Sequence, residues 1–186
     1  MILKEKILFS KEECQYILQN IENWNDIIIS VRLDGQLTDR GGVMKSFKIN
    51  WNDNNNWIKD RVINWVNSLD NISHKIHNKQ NLNAGYRKYT KGDYFVKHND
   101  HIYNGKMRLY TIGIMLYKSD DLVGGDLKMY LNNNIIDISF ELGKVYIFDS
   151  NITHSVDLVE MGERITLMFF IHNDNINKNI GKTRII

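Results

Sequence analysis

The chain has 186 residues, 42% of them hydrophobic and 25% charged, with a formal net charge of +2. That length suits one domain with a sizeable core, and the near-neutral charge argues against a broad electrostatic footprint for nucleic acid. No apolar run approaches the roughly 20 residues that cross a bilayer, so no membrane partner is expected.

The opening, MILKEKILFSKEE, has no apolar stretch of useful length followed by small residues, and no signal peptide is expected. Cys14 is the only cysteine. A lone thiol makes no internal disulfide, so a reducing, cytoplasmic setting is expected, with Cys14 serving as a small apolar residue on a helix. Proline is absent. Turns must therefore rest on Gly, Asn and Asp.

In chain order, Ser10 and Glu13 have the spacing of a capping box, and Cys14, Ile17 and Leu18 follow at helical spacing. Residues 27–31 and 47–51 read as strands, separated by a polar, glycine-rich loop over 34–42 (DGQLTDRGG). A second helix is predicted over 55–69, with Trp57, Ile58, Val62, Trp65 and Val66 on one stripe. From Asn83 the pattern changes to short strands at 86–89, 94–97, 110–117, 126–131, 135–140, 145–148, 155–159 and 164–171. Turn signals separate them at Lys91-Gly92-Asp93, Asn104-Gly105, Gly124-Gly125, Asn132-Asn133-Asn134, Leu142-Gly143 and Met161-Gly162. The expectation is a single, mainly β domain with flanking N-terminal helices (α+β), a sandwich or barrel. Helices and supporting strands would occupy 1–83, the β core 84–172 and a polar tail 173–186.

Within YRKYTKGDYFVKHNDH the triplet His98-Asn99-Asp100 stands out. On extended chain a two-residue spacing puts both side chains on one face. Alone, the triplet suits a polar turn as well as half a metal site. His154, in NITHSV, would complete two imidazoles and one carboxylate, the facial triad that leaves coordination positions open on Fe(II). On the strand RITLMFFI, Arg164, Thr166, Met168 and Phe170 share one face. An inward Arg is costly unless it is paired. A dicarboxylate would pair it bidentately, with Thr166 adding a hydroxyl; the alternative is a solvated Arg held by Glu160 or Glu163.

The run Tyr89…Gly92…Phe95…His98-x-Asp100, then Gly124-Gly125-Asp126-Leu127, Gly143-Lys144-Val145-Tyr146-Ile147-Phe148…His154-Ser155-Val156 and Gly162-Glu163-Arg164 resembles the Fe(II)- and 2-oxoglutarate-dependent dioxygenases of the prolyl 4-hydroxylase type. The resemblance covers about residues 84–172, and FSKEECQYIL looks like the opening helix of that family. It implies a double-stranded β-helix, the jelly roll shared with cupins. It implies iron on His98, Asp100 and His154, and 2-oxoglutarate with its far carboxylate on Arg164. Tyr89 and Tyr117 look like the tyrosines that line the cosubstrate pocket, with aromatic core packing as the alternative. O2 would be the second cosubstrate and ascorbate a candidate accessory. Collagen-type members carry Lys at the Arg164 position; an Arg there looks more like the PKHD-type branch.

The activity so implied is hydroxylation of a prolyl residue in a peptide or protein, with release of succinate and CO2. Asp100 is the carboxylate that related halogenases replace by a small residue. Alternatives are hydroxylation of a free amino acid or other small molecule, and a non-catalytic jelly-roll metal-binding module. The nucleic-acid demethylase branch carries a second Arg six residues after the first, where this chain has Phe170. Loops 34–42 and 101–108 are candidate lids, and Arg40, Lys106 or Arg108 would favour an acidic substrate if any faced the opening. His101 is expected to point away from the triad. His74, His77 and His172 have no partner pattern.

Overall fold

In the computed structural model, which describes residues 3–19, 27–28, 45–49, 51–70, 72, 76, 82–103, 106–138 and 141–172, the capping box forms as predicted. Ser10 N donates to Glu13 Oε2 at 2.9 Å and Glu13 N to Ser10 Oγ at 3.2 Å. The elements are β1 (Leu3–Ile7), α1 (Lys11–Gln19), β2 (Ile27–Ile28), β3 (Lys45–Lys48), α2 (Asn56–Ser68), β4 (Leu82–Thr90), β5 (Phe95–His98), β6 (Ile102–Tyr103), β7 (Lys106–Lys118), β8 (Val123–Gly124), β9 (Leu127–Leu131), β10 (Asn134–Ile138), β11 (Lys144–Asp149), β12 (Thr153–Val156), β13 (Val159–Met161) and β14 (Glu163–His172).

One sheet runs β1-β11-β7-β14-β4-β3-β2, and a second runs β10-β9-β12-β5; every described pairing is antiparallel. Strand alternation gives the large sheet two apolar faces. Ile112, Ile114 and Leu116 of β7, Val145 and Ile147 of β11, and Leu167, Phe169 and Ile171 of β14 pack with Cys14 and Ile17 of α1 and Ile58, Val62, Trp65 and Val66 of α2. The other face, through Tyr89, Tyr146 and Phe148, meets Phe95, Leu127, Met129 and Val156 of the small sheet. This is the expected jelly roll: two facing sheets, with the helices outside the large one. The site lies between the sheets.

Turn chemistry follows the absence of proline. Asn132 and Asn133 both take positive φ, 47° and 67°, in the two-residue turn that joins β9 to β10. That is the conformation a type I′ hairpin requires, and Asn tolerates it.

Several boundaries differ from the expectations. The strand expected over 47–51 is Lys45–Lys48; Trp51 lies beyond it and stacks on Phe169 with ring centroids 6.0 Å apart. Burying its ring on the core takes Trp51 out of the ladder. The run 155–159 is two strands, β12 and β13, because the chain leaves the small sheet at Asp157 to pair with β8. Lys128 pairs with Asp157 at that break. The loop expected over 101–108 is a ribbon in which Ile102 opposes Met107 and Tyr103 opposes Lys106. β1 carried no strand signal because it is an edge strand with one half-buried and four exposed residues, held by backbone pairing to β11. The loop 34–42 with Arg40, residues 29–31, His74, His77 and the tail 173–186 lie outside the described residues.

Candidate metal centre

Register creates the site. β12 lies antiparallel to β5 so that His154 sits directly opposite His98, with ring centroids 4.2 Å apart. Asp100 lies just past the end of β5 and not on the strand, as the sequence had suggested. Its position comes from elsewhere: Asp100 N donates to Ser150 O at 2.8 Å, and Thr111 Oγ1 donates to Asp100 Oδ2 at 2.9 Å. Thr111 also shares a 2.9 Å hydrogen bond with Ser150 Oγ, and both hydroxyl residues are fully buried. One ligand atom from each of His98, Asp100 and His154 can be chosen so that all lie within 4.8 Å of one another.

Hydrogen bonds decide how the imidazoles face. Nδ1 of His98 lies 2.8 Å from Val96 O, and Nδ1 of His154 lies 3.0 Å from Ile152 O. A carbonyl only accepts, so each Nδ1 carries the proton and each Nε2 keeps its lone pair. Those Nε2 atoms point to Asp100, 3.8 Å from Oδ1 for His98 and 3.5 Å from Oδ2 for His154. Burial, and then the facing His154, pull the His98 pKa from 6.5 down to about 4, against the opposing pull of Asp100. At neutral pH His98 is therefore a neutral ring, and its approach to Asp100 is not an ion pair. Phe95 and Phe148 stand edge-on to His98 and His154, at 3.9 Å and 5.0 Å between centroids, and flank the cluster with apolar rings. Two imidazoles whose Nδ1 atoms are engaged by carbonyls behind them, so that Nε2 faces the site, and one oriented carboxylate fit a divalent iron.

Arg164 is 2% exposed, which rules out the solvated position at a strand end. Glu163 instead pairs with Lys88 at 2.7 Å. The Arg164 guanidinium lies over the Tyr89 ring, 4.4 Å from its centroid. Burial pulls its pKa down, and Tyr89, Tyr146 and Asp126 act against that. Gly125, at φ +72°, passes close by: a Cβ there would stand 2.9 Å from Val159 Cγ2 and 3.4 Å from Arg164 Nε. Positive φ and this close approach both call for glycine. Thr166 is buried on the same face of β14.

Tyr117 is 36% exposed, opposite Ile165 near the end of β7. The tyrosine gathered beside Arg164 together with Tyr89 is Tyr146, which is buried and feels both. Tyr146 Oη reaches Met168 Sδ at 3.7 Å, a weak acceptor for a buried phenol. Arg108 is also buried, with its guanidinium 3.7 Å from the Phe170 ring centroid and Nη1 3.9 Å from Asp100 Oδ1. His101 contributes no atom to the cluster, and His172 ends β14. Thr111, Ser150, Arg108 and Tyr146 carry no motif. Alternation in GKVYIFD does put Tyr146 on the face of Phe148, and that was the signal available.

Residues 84–172 match the family model of the 2OG-Fe(II) oxygenase superfamily. The matched stretch is the β core and falls just short of half of the chain. An uncharacterized protein of fowlpox virus is 31% identical to this chain over 81 residues, 44% of the chain but 19% of that relative's length. Among solved structures, a 2OG-Fe(II) oxygenase family oxidoreductase from Burkholderia pseudomallei superposes with TM-score 0.68 at 12% identity, over 91% of this chain and 84% of that one. The viral collagen prolyl hydroxylase of Paramecium bursaria Chlorella virus-1, in its 2OG complex, gives 0.65 at 16% identity over 92% and 96%. A prolyl hydroxylase from Trichoplax adhaerens, bound to a peptide of the hypoxia inducible factor oxygen degradation domain, gives 0.64 at 15% identity over 91% and 82%. At these identities the likeness is one of fold, and the fold is the double-stranded β-helix.

Proposed function

We propose that the chain is a 2OG-Fe(II) oxygenase that hydroxylates a prolyl residue in a peptide or protein, with iron on His98, Asp100 and His154 and the distal carboxylate of 2-oxoglutarate on Arg164. The observation that carries the reading is the convergence of three ligand atoms within 4.8 Å inside a jelly roll that also buries an arginine on its inner face. The chemistry that iron and 2-oxoglutarate supply when bound is oxidative decarboxylation by O2 to succinate and CO2, with the second oxygen atom entering a substrate C–H bond.

The chain's own residues do the rest. The Nδ1–H groups of His98 and His154 hold the rings against Val96 O and Ile152 O, so neither imidazole can turn its lone pair away. Thr111 occupies one lone pair of Asp100 Oδ2 and orients the carboxylate. Arg164, held over the Tyr89 ring, brings a planar fork of donors suited to a carboxylate. Phe95 and Phe148 flank the ligand set with apolar rings.

The peptide substrate is supported by two of the structural relatives, a collagen prolyl hydroxylase and a prolyl hydroxylase crystallised on a peptide. The test is anaerobic titration of the apoprotein with Fe(II) and then 2-oxoglutarate, followed by turnover on proline-containing peptides. A visible charge-transfer band, succinate release and gain of one oxygen atom on a proline are the expected results. A band without peptide oxidation would leave the cofactor assignment standing and overturn the peptide substrate. No band in folded, iron-loaded protein would overturn both.

A further inference from the structure

Asp100 lies past the end of β5, so no described strand pairing fixes it. Ser150, in the turn between β11 and β12, does so instead. Its carbonyl accepts from Asp100 N at 2.8 Å. Its own N donates to Leu109 O at 2.9 Å, which carries the β7–β11 ladder one residue past Asp149 and Tyr110. Its hydroxyl lies 2.9 Å from Thr111 Oγ1. Two residues on, the same turn presents Ile152 O to His154 Nδ1 at 3.0 Å, and Ile152 N closes the turn on Asp149 O at 2.9 Å. One turn of chain therefore holds two of the three triad residues from behind.

The hydroxyls in this turn are ordered in one direction. A hydroxyl has a single proton to give. Thr111 gives its proton to Asp100 Oδ2 at 2.9 Å, so the hydrogen bond between Ser150 and Thr111 is donated by Ser150. Thr111 and Ser150 are both 0% exposed, so water takes neither place. Among the described residues Thr111 is the one partner of the Ser150 side chain. A donor behind a donor strengthens the outer hydrogen bond and keeps the Thr111 hydroxyl from turning back. We infer that Ser150 is a positioning residue for the metal: its hydroxyl fixes the direction of the Thr111 hydroxyl, which aims the Asp100 carboxylate, while its carbonyl holds the Asp100 backbone. Ser150 acts through Thr111 and Asp100, not on the metal itself. The inference rests on the proposed reading of His98, Asp100 and His154 as iron ligands.

The experiment measures binding of Mn(II), a redox-inert substitute for iron, by calorimetry in wild type, Ser150→Ala, Thr111→Val and the double variant. The visible ligand-field bands of the Co(II)-loaded proteins and the melting temperature of each metal-free protein are recorded beside it. Ser150→Ala should raise the Mn(II) Kd by about tenfold, the lower end of the loss typical for partners behind a metal ligand, and should shift the Co(II) bands. In the Thr111→Val background the same substitution should change the Kd by less than about twofold, because the two hydroxyls act as one unit. Ser150→Thr keeps the donor and should bind Mn(II) as wild type does. An unchanged Kd and spectrum in Ser150→Ala overturns the inference, whatever the melting temperature does. So does an equal loss in both backgrounds, which makes Ser150 independent of Thr111, or a loss in Ser150→Thr as large as in Ser150→Ala. If Ser150→Ala does not fold, Ser150→Thr is compared with Ser150→Cys, whose thiol is a weak donor. Ser150→Cys should then bind Mn(II) more weakly, and equal affinities overturn the inference. A Kd that is the same in wild type and His98→Ala overturns the reading of the triad, and this inference with it.

Discussion

His98 and His154 stand directly opposite each other across the β5–β12 pairing, and both turn Nε2 toward Asp100. The pair is held by the register of two strands distant in sequence and locked by backbone carbonyls behind each ring. Removing either ring, as His98→Ala or His154→Ala, takes away one of the three proposed ligands. Divalent metal affinity should fall by more than the 10- to 100-fold typical of losing an outer partner. Calorimetric titration with Mn(II) checks this, and an unchanged Kd would show that the rings are not ligands.

Thr111 is the contact that orients Asp100. Thr111→Val keeps the shape and removes the donor, so metal affinity should fall by roughly 10- to 100-fold while the fold persists. Thr111→Ser restores a hydroxyl and should recover most of the loss. Equal affinities for Val and Ser at this position would mean that the hydrogen bond to Asp100 Oδ2 does not matter for the metal.

Arg164 should govern 2-oxoglutarate and not the metal. Arg164→Ala is expected to raise the 2-oxoglutarate Kd by about a hundredfold, on the order of two charge-assisted hydrogen bonds, with Mn(II) affinity intact. Arg164→Lys keeps the charge without the fork and should fall between. The readout is the ligand titration on Mn(II)-loaded protein; loss of both affinities together would point to a collapsed interior instead.

Cys14 sits buried in α1, and burial raises its pKa from 9.0 to about 11. Between those values the unfolded chain releases the thiol proton and the folded chain keeps it. Stability from this group is therefore full below pH 9 and falls as pH rises from 9 toward 11. Cys14→Ala should flatten that part of the alkaline limb in urea unfolding measured across pH. In native protein near pH 8, a thiol reagent should label Cys14 only as fast as the protein opens.

Ser10 closes the capping box with Glu13, which also meets Arg61 Nη1 of α2 at 2.6 Å. Ser10→Ala should cost about 1 kcal/mol, lowering the urea midpoint at constant slope. Affinity for metal should not change, because α1 packs on the face of the large sheet away from the site.

The candidate triad and the arginine could be singled out from the sequence through the spacing of His98 and Asp100, the alternation of the Arg164 strand and the family resemblance that added His154. His98 and Asp100 are two residues apart, and Arg164 shares a face with Thr166. Asp100 turned out to lie past the strand, yet hydrogen bonds from Thr111 and to Ser150 put its carboxylate where the spacing suggested. Tyr117 was singled out by the family resemblance, and regular alternation would have placed it on the face of Gly113 and Met115. β7 carries a bulge between the partners of Ile165 and Thr166, so Tyr117 at its end is exposed and Tyr146 from another strand fills the interior. A bulge shifts the alternation behind it, and nothing in a single strand's pattern announces one.

By itself the sequence determined the strands, their inward faces, the Asn and Gly turns that stand in for proline, and the residue types able to hold iron. These are properties of neighbouring residues: a period of two, a cap, a left-handed turn. Only the tertiary structure decided which side chains from distant strands meet. Thr111 and Ser150 behind Asp100, Arg108 over Phe170, and Tyr146 reaching across Gly113 to Met168 all depend on register between strands far apart in the chain. One residue of slip would turn each of them to the opposite face of the sheet.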